Sequence, residues 1–285
     1  RMPRIAYVNG RYVPHRRAAV HIEDRGYQFA DGVYEVVGVH KGRLIDEKEH
    51  LDRLERSLAE LSIPSPMARG GIRVVLGQMV RRNLISDGLV YMQVTRGVAP
   101  RNHAFPANPK PSFVVTARPI KPFDRATILT GGKVITAPDI RWKRCDIKTI
   151  SLLPNAMLKQ KAVEAGALET WMVDEKGFIT EGTSSNAWIV TKKGEVVTRR
   201  TGPEILAGIT RLRVLAIAER QGLVFVERAF TKKDVLEADE AFLTSTTSFV
   251  KPVLQIDGHA IGSGAPGKLT TALLDWYERH MEEDE

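Results

Sequence analysis

The sequence predicts a mixed α/β and α+β protein of two domains, and three observations predict it. Its 285 residues are more than one core of ordinary size needs. Helix-period and strand-period stretches interleave along the whole chain. Near the middle, Arg118-Pro119-Ile120-Lys121-Pro122 carries two prolines that resist both helix and central strand, which makes it the best linker. The expected division is residues 1–118, a linker over 119–123, and residues 124–285.

The elements follow in order. Asn9-Gly10 sits between Ile5-Ala6-Tyr7-Val8 and Arg11-Tyr12-Val13, the composition a two-residue type I′ hairpin needs. Gly32 to Val39 reads as a strand turning at Lys41-Gly42, with Tyr34, Val36 and Gly38 on one face by the period of two. Asp46 to Glu49 has capping-box spacing and opens a helix to Leu61, striped by Leu51, Leu54, Leu58 and Leu61, with Arg53 at the stripe's edge. A second helix covers Met67 to Leu84. Strands at Leu89 to Gly97 and Pro111 to Ala117 enclose a proline-bounded loop whose Arg101 and His103 suit a carboxylate.

Beyond the linker come a strand at Lys133 to Thr136 and a helix from Asn155 to Val163 that Gly166 stops. Strands flank Lys176-Gly177, and the polar run Thr180 to Asn186 leads into the strand Ala187 to Val190. A helix from Arg211 closes at Gly222, Thr231-Lys232-Lys233-Asp234 is a second capping box, and Glu240 to Ser248 is a strand ending in hydroxyls. Val253 to Gly258 is a strand with its turn, Lys268 to Met281 is the closing helix, and Glu282-Glu283-Asp284-Glu285 reads as its frayed tail.

Composition narrows the function. A hydrophobic share of 43% with 27% charged residues is that of a soluble globular protein. No apolar run is long enough to span a bilayer and no secretory pattern opens the chain, so a cytoplasmic address and no membrane partner are expected. The single Cys145 excludes a disulfide framework and a cysteine-rich metal site. The net charge of +8 is interspersed with acids, which favours small anionic ligands over nucleic acid.

The chemistry centres on Lys148, flanked by Ile147 and Ile150 ahead of a helix. An amine held between isoleucines loses hydration, which depresses its pKa and frees the nucleophile that imine chemistry needs. Elsewhere stand a carboxylate in a polar stretch (Glu181), a helix N-terminus with free N–H groups and a hydroxyl (Gly208 to Thr210), a second hydroxyl run (Ser245 to Thr247) and Arg53. A phosphorylated aldehyde answers all of these at once, and pyridoxal 5'-phosphate is such a molecule.

Six separated motifs, in order, then carry a resemblance. They are Phe29-Ala30-Asp31-Gly32-Val33-Tyr34-Glu35-Val36, Glu49-His50-Leu51-Asp52-Arg53-Leu54, Lys148 with Pro154-Asn155, Glu181-Gly182-Thr183-Ser184-Ser185-Asn186, Gly208-Ile209-Thr210-Arg211 and Ser245-Thr246-Thr247. Nearly the whole chain resembles the fold-type-IV pyridoxal-phosphate aminotransferases. The resemblance implies a smaller N-terminal α/β domain, a larger β-barrel-like C-terminal domain, the cofactor at the domain interface, and a homodimer. By it, Lys148 is the lysine that binds the cofactor and Glu181 pairs with its ring nitrogen. Arg53, the Ile209 amide, Thr210 and Thr246 hold the phosphate, and Leu206 lies against the ring. Substrate falls to Tyr34, Val36, Arg101, His103 and Thr247, with Arg101 and His103 reaching the partner subunit's site.

The Arg101-Asn102-His103 loop resembles the carboxylate trap of the D-amino-acid members, which implies D-alanine- and D-glutamate-type substrates with 2-oxo acids. Branched-chain L-amino-acid and (R)-amine aminotransferases and aminodeoxychorismate lyase are the alternatives on the same fold. A basic nucleic-acid-binding protein and a cofactor-free Schiff-base lyase using Lys148 are alternatives from other classes. Phe249 and the small Gly38 depart from the family's pattern and imply an altered wall and a roomier pocket.

Overall fold

The computed structural model describes residues 4–283, so Asp284 and Glu285 of the acidic tail lie outside the described residues. The chain forms two compact units. One holds residues 4–123 together with Ile147–Ser151, and the other holds Asp124–Asp146 and residues 152–283.

In the first unit, β1 (Ile5–Val8) and β2 (Arg11–Pro14) are joined through Asn9 and Gly10, at φ 45° and 92°. That left-handed pair is what a type I′ turn requires. A short helix α1 (Arg25–Phe29) precedes β3 (Gly32–His40), which turns into β4 (Arg43–Leu44). Two helices follow, α2 (Glu47–Glu60) and α3 (Arg69–Arg82), then β5 (Gly88–Thr95) and β6 (Ser112–Pro119). The sheet runs β2-β1-β6-β5-β3-β4 and is antiparallel throughout.

Alternation in β3 decides what it presents. Val33, Val37 and Val39 are buried in one cluster with Leu51, Leu54 and Leu58 of α2 and Ile72, Leu76 and Met79 of α3. Each such side chain contributes roughly 2 kcal/mol by leaving water. Tyr34, Val36 and Gly38 fall on the opposite, half-buried face, as the period of two predicts. Two expected details differ. Asp46 holds the N-cap position of α2 at φ 53° but makes no side-chain capping hydrogen bond. The strand β6 runs on to Pro119, opposite Gly88, into the stretch read as linker, because a proline is tolerated at a strand's last residue.

The second unit opens with α4 (Arg125–Leu129), β7 (Gly132–Pro138) and α5 (Leu153–Glu164), which Gly166 ends at φ 62°. Next come β8 (Glu169–Val173), β9 (Ile179–Gly182), β10 (Asn186–Val190), β11 (Val196–Thr198), α6 (Ile209–Arg220) and β12 (Phe225–Glu227). The helix α7 (Lys232–Glu237) starts on the complete Thr231/Asp234 capping box. Strands β13 (Glu240–Ser245), β14 (Phe249–Ile256) and β15 (His259–Ala260) and the helix α8 (Lys268–Glu282) complete it.

Its sheet path is β12-β11-β10-β13-β14-β7-β8-β9, with β15 beside β14. Five strand spacings separate β10 from β9, roughly 24 Å if the sheet were flat. Three residues, Thr183 to Ser185, join them, a reach of about 15 Å at most. The sheet therefore curls back on itself, the barrel-like form expected. Among the described residues no helix is long and apolar enough to cross a membrane.

Candidate active site

Lys148 sits on a strip that belongs to the first unit, although the sequence reading assigned it to the C-terminal domain. The reason is backbone pairing. Tyr34 N–H donates to the Lys148 carbonyl at 3.0 Å, Ile150 N–H to the Gly32 carbonyl at 3.1 Å, and Val33 bridges Thr149. A Cβ on Gly32 would lie 2.6 Å from the Val94 carbonyl oxygen and 3.0 Å from the Thr95 Cα, so glycine at the start of β3 lets β5 lie close beside it. Lys148 N–H also donates to Ser57 Oγ on α2 at 3.3 Å.

The side chain is then set by its neighbours. Lys148 Nζ lies 4.1 Å from the centroid of the Tyr34 ring, and Tyr34 stacks on Tyr91 at 5.7 Å. Tyr91 donates to Gln93 at 2.7 Å, and burial, with the neighbouring Tyr34, pushes its hydroxyl pKa up to about 12. Lys148 is half-buried and faces an aromatic ring; it is not sheathed by both isoleucines, since Ile147 turns into the hydrophobic core.

Arg53 lies on the other face of β3. Its Nε and Nη2 donate to Glu35 at 2.6 and 2.8 Å, and His50 meets the same carboxylate at 2.8 Å. Glu35 is fully buried; burial opposes its ionisation, but Arg53 and His50 outweigh burial and hold its pKa at about 2. Arg101 and His103 are exposed on their loop, with the Arg101 guanidinium 4.7 Å from the Phe29 ring centroid and the His103 ring at 5.4 Å.

In the second unit, Glu181 on β9 is buried and accepts from Arg141 Nη1 at 2.5 Å, Asn186 Nδ2 at 3.0 Å and Leu206 N–H at 3.2 Å. Asn186 also donates to the Leu206 carbonyl at 3.0 Å. A Cβ on Gly208 would fall 2.1 Å from Asn186 Oδ1, so glycine there lets the turn before α6 close on Asn186, the residue that also donates to Glu181. The helix α6 starts at Gly208 without a side-chain cap, which leaves first-turn N–H groups at Ile209 and the buried Thr210 for an anion.

Asn186 pairs with Thr244 across β10 and β13, which puts the Thr246–Ser248 turn at the same end of the sheet. Thr246 is half-buried and Thr247 exposed there, next to Phe249, which adopts φ 58° and packs toward Tyr277.

Sequence reasoning missed three residues here. Arg141 holds Asp139 through Nε at 3.0 Å and Nη2 at 2.7 Å as well as Glu181. Asn186 was noticed only as a motif's last letter. Glu169 gathers Thr183 Oγ1 at 2.5 Å, Ser184 N–H and Oγ at 2.9 Å and Ser185 Oγ at 3.2 Å, so that hydroxyl run is occupied in shaping its own loop.

The pairing at Arg141 carries an imbalance. One guanidinium faces two carboxylates, Asp139 and Glu181. Burial disfavours a second buried negative charge, and Arg141 offsets that only in part, so Glu181 is raised from 4.5 to about 7. A protonated pyridine nitrogen would supply the missing positive charge. The carboxylate surplus and the uncapped α6 N-terminus fit pyridoxal 5'-phosphate.

Comparison with known proteins agrees. Residues 32–256 match the model of the amino-transferase class IV family. The chain is similar to a D-alanine aminotransferase of Bacillus licheniformis, 47% identical over 92% of each chain. It is also similar to one of Listeria monocytogenes, 41% identical over 95% of this chain and 93% of that one. Among solved structures, a branched-chain amino acid aminotransferase from Escherichia coli superposes with a TM-score of 0.88, at 21% identity, over 99% of this chain and 96% of that one, a likeness of fold.

Proposed function

The chain belongs to the class IV amino-transferase family, and from that premise we propose that it transfers the amino group of D-alanine- and D-glutamate-type amino acids to 2-oxo acids, using pyridoxal 5'-phosphate. The observation that carries the cofactor is the negative surplus at Asp139 and Glu181 beside one guanidinium. The bound cofactor supplies an electrophilic carbonyl and a ring that accepts the electron pair left when the substrate's Cα–H bond breaks.

The protein's residues do the rest. Lys148 would hold the cofactor through Nζ, and its free amine would take the substrate's α proton as a base and later return it. Glu181, as a carboxylate, keeps the ring nitrogen protonated. In the first unit Arg53 serves the phosphate. In the second, the Ile209 amide, Thr210 and Thr246 would hold it and Leu206 would border the ring. Tyr34, Arg101 and His103 take the substrate carboxylate, with Val36 and Thr247 lining the pocket. The D-alanine aminotransferase relatives support the D hand.

The decisive test is product formation from paired D- and L-amino acids and (R)-amines with 2-oxoglutarate. Turnover of D-alanine but not L-leucine supports the proposal, and the reverse sinks it. Arg101→Ala is expected to raise KM for D-alanine roughly 10- to 100-fold with cofactor affinity kept, as loss of a charge-assisted contact predicts; an unchanged KM removes the trap.

We also propose a cytoplasmic homodimer. Around the Arg101 loop the first unit exposes Ile22 (76%), Tyr27 (77%), Val98 (47%) and Phe105 (60%), an apolar group suited to a second copy. Ile22→Asp with Tyr27→Asp is expected to shift sedimentation from dimer to monomer; an unaltered dimer would move the interface elsewhere.

A further inference from the structure

We propose that Arg25 is the positioning residue of the substrate-carboxylate loop, holding Arg101 and His103 in place by gripping the three peptide carbonyls that follow Arg101. The inference rests on the reading of Arg101 and His103 given above and deepens it.

Residues 100–106 form no helix or strand, and within them Ala104 N–H donates to Asn102 Oδ1 at 3.0 Å. Arg25 holds the loop from beneath. Its side chain is 3% exposed, and Nη1 donates to the Asn102 carbonyl at 2.5 Å and the Ala104 carbonyl at 3.4 Å, while Nη2 donates to the His103 carbonyl at 3.3 Å. The loop is thus wrapped on one buried cation. Arg25 is in turn fixed by Asp31, which accepts from its Nε at 2.7 Å, and its own N–H donates to the Gly97 carbonyl at 2.9 Å.

Asp31 is shared. Arg96 also donates to it, from Nε at 2.8 Å and Nη2 at 2.9 Å, and donates from Nη2 and Nη1 to the Leu61 and Ser62 carbonyls past the end of α2. One carboxylate between two buried guanidiniums leaves a surplus positive charge that backbone carbonyls and aromatic faces meet, and the loop supplies the carbonyls for Arg25. Aromatic rings close the arrangement. Phe29 has Arg25 and Arg101 each 4.7 Å from its centroid, and Arg96 lies 3.5 Å from that of Phe105.

A lysine at position 25 would keep the charge but lose the fork that meets Asp31 and three carbonyls together. The test uses cofactor-loaded wild type, Arg25→Lys, Arg101→Ala and the double variant. In Arg25→Lys, KM for D-alanine should rise by as much as roughly 100-fold, since a small misplacement of a binding group has that effect. The value of kcat and cofactor affinity should hold, and amide hydrogen exchange over 101–105 should quicken.

In the double variant the rise in KM should fall short of the two single rises combined, because Arg25 acts through Arg101 and, once that is gone, has only His103 left to misplace. Additive KM effects, an unmoved KM, or unaltered exchange in Arg25→Lys would overturn the positioning role. Should Arg25→Lys not fold, Arg25→Gln, which keeps an amide donor but loses the charge and the fork, must show the same pattern. A wild type inactive on D-alanine would instead sink the substrate reading itself, whatever exchange shows.

Discussion

Replacing Lys148 by alanine is expected to lower turnover of D-alanine with 2-oxoglutarate by about ten-thousand-fold, the upper range for a positioned base. The strip that carries it is held by main-chain hydrogen bonds to Tyr34, Gly32 and Ser57. The side chain can therefore be removed without unpicking the fold. Lys148→Arg should fail equally, because a guanidinium keeps a cation over Tyr34 but holds its proton too tightly to act as a base. Small primary amines added to Lys148→Ala should restore part of the rate. Turnover within tenfold of wild type in either variant, measured as pyruvate released, would exclude Lys148 from proton transfer.

That lysine was legible only because separated motifs together asked for an imine-forming amine; its own neighbourhood, with Tyr34 over its Nζ and Ile147 turned into the core, was not. Local signals read true wherever one turn decides them, as at Asn9-Gly10, the Thr231 capping box and the Gly166 helix stop. Pairings between distant segments leave no such trace. The strip at 147–151 joins β3 more than one hundred residues earlier, so the domain that owns Lys148 was misassigned. Asp46 shows the converse, a capping pattern whose backbone at φ 53° gives no capping bond.

The site divides in the same way. Glu181 and the Gly208 turn could be found because they belong to a set of motifs in a fixed order; singly, a carboxylate among small hydroxyls and a glycine before a helix are common. Arg141 could not, since Arg141-Trp142-Lys143-Arg144 looks like solvated surface and only the folded chain sets it against Asp139 and Glu181. Arg25 was hidden likewise, its five-residue helix too short for periodicity to show. Buried ion pairs are properties of three-dimensional neighbours, and the single signal available was an arginine two residues from an aspartate.

Glu181→Gln is expected to slow the first half-reaction roughly 100- to 1,000-fold, the loss typical of one preorganised electrostatic partner. An amide accepts less strongly than a carboxylate and carries no charge, so the ring nitrogen is no longer held protonated. The same substitution gives a pH test of the cofactor-free protein. Folded, Glu181 keeps its proton up to about pH 7, against 4.5 for an ordinary glutamate. Between those values the folded state binds more protons than the unfolded chain, so stability falls as pH rises. The stabilising share from protonated Glu181 is complete below about 4.5 and gone above about 7. Wild type should therefore lose melting temperature relative to Glu181→Gln across that window, the gap levelling off above it. Parallel melting curves, or a half-reaction at wild-type speed in the glutamine variant, would detach Glu181 from both the charge surplus and the cofactor.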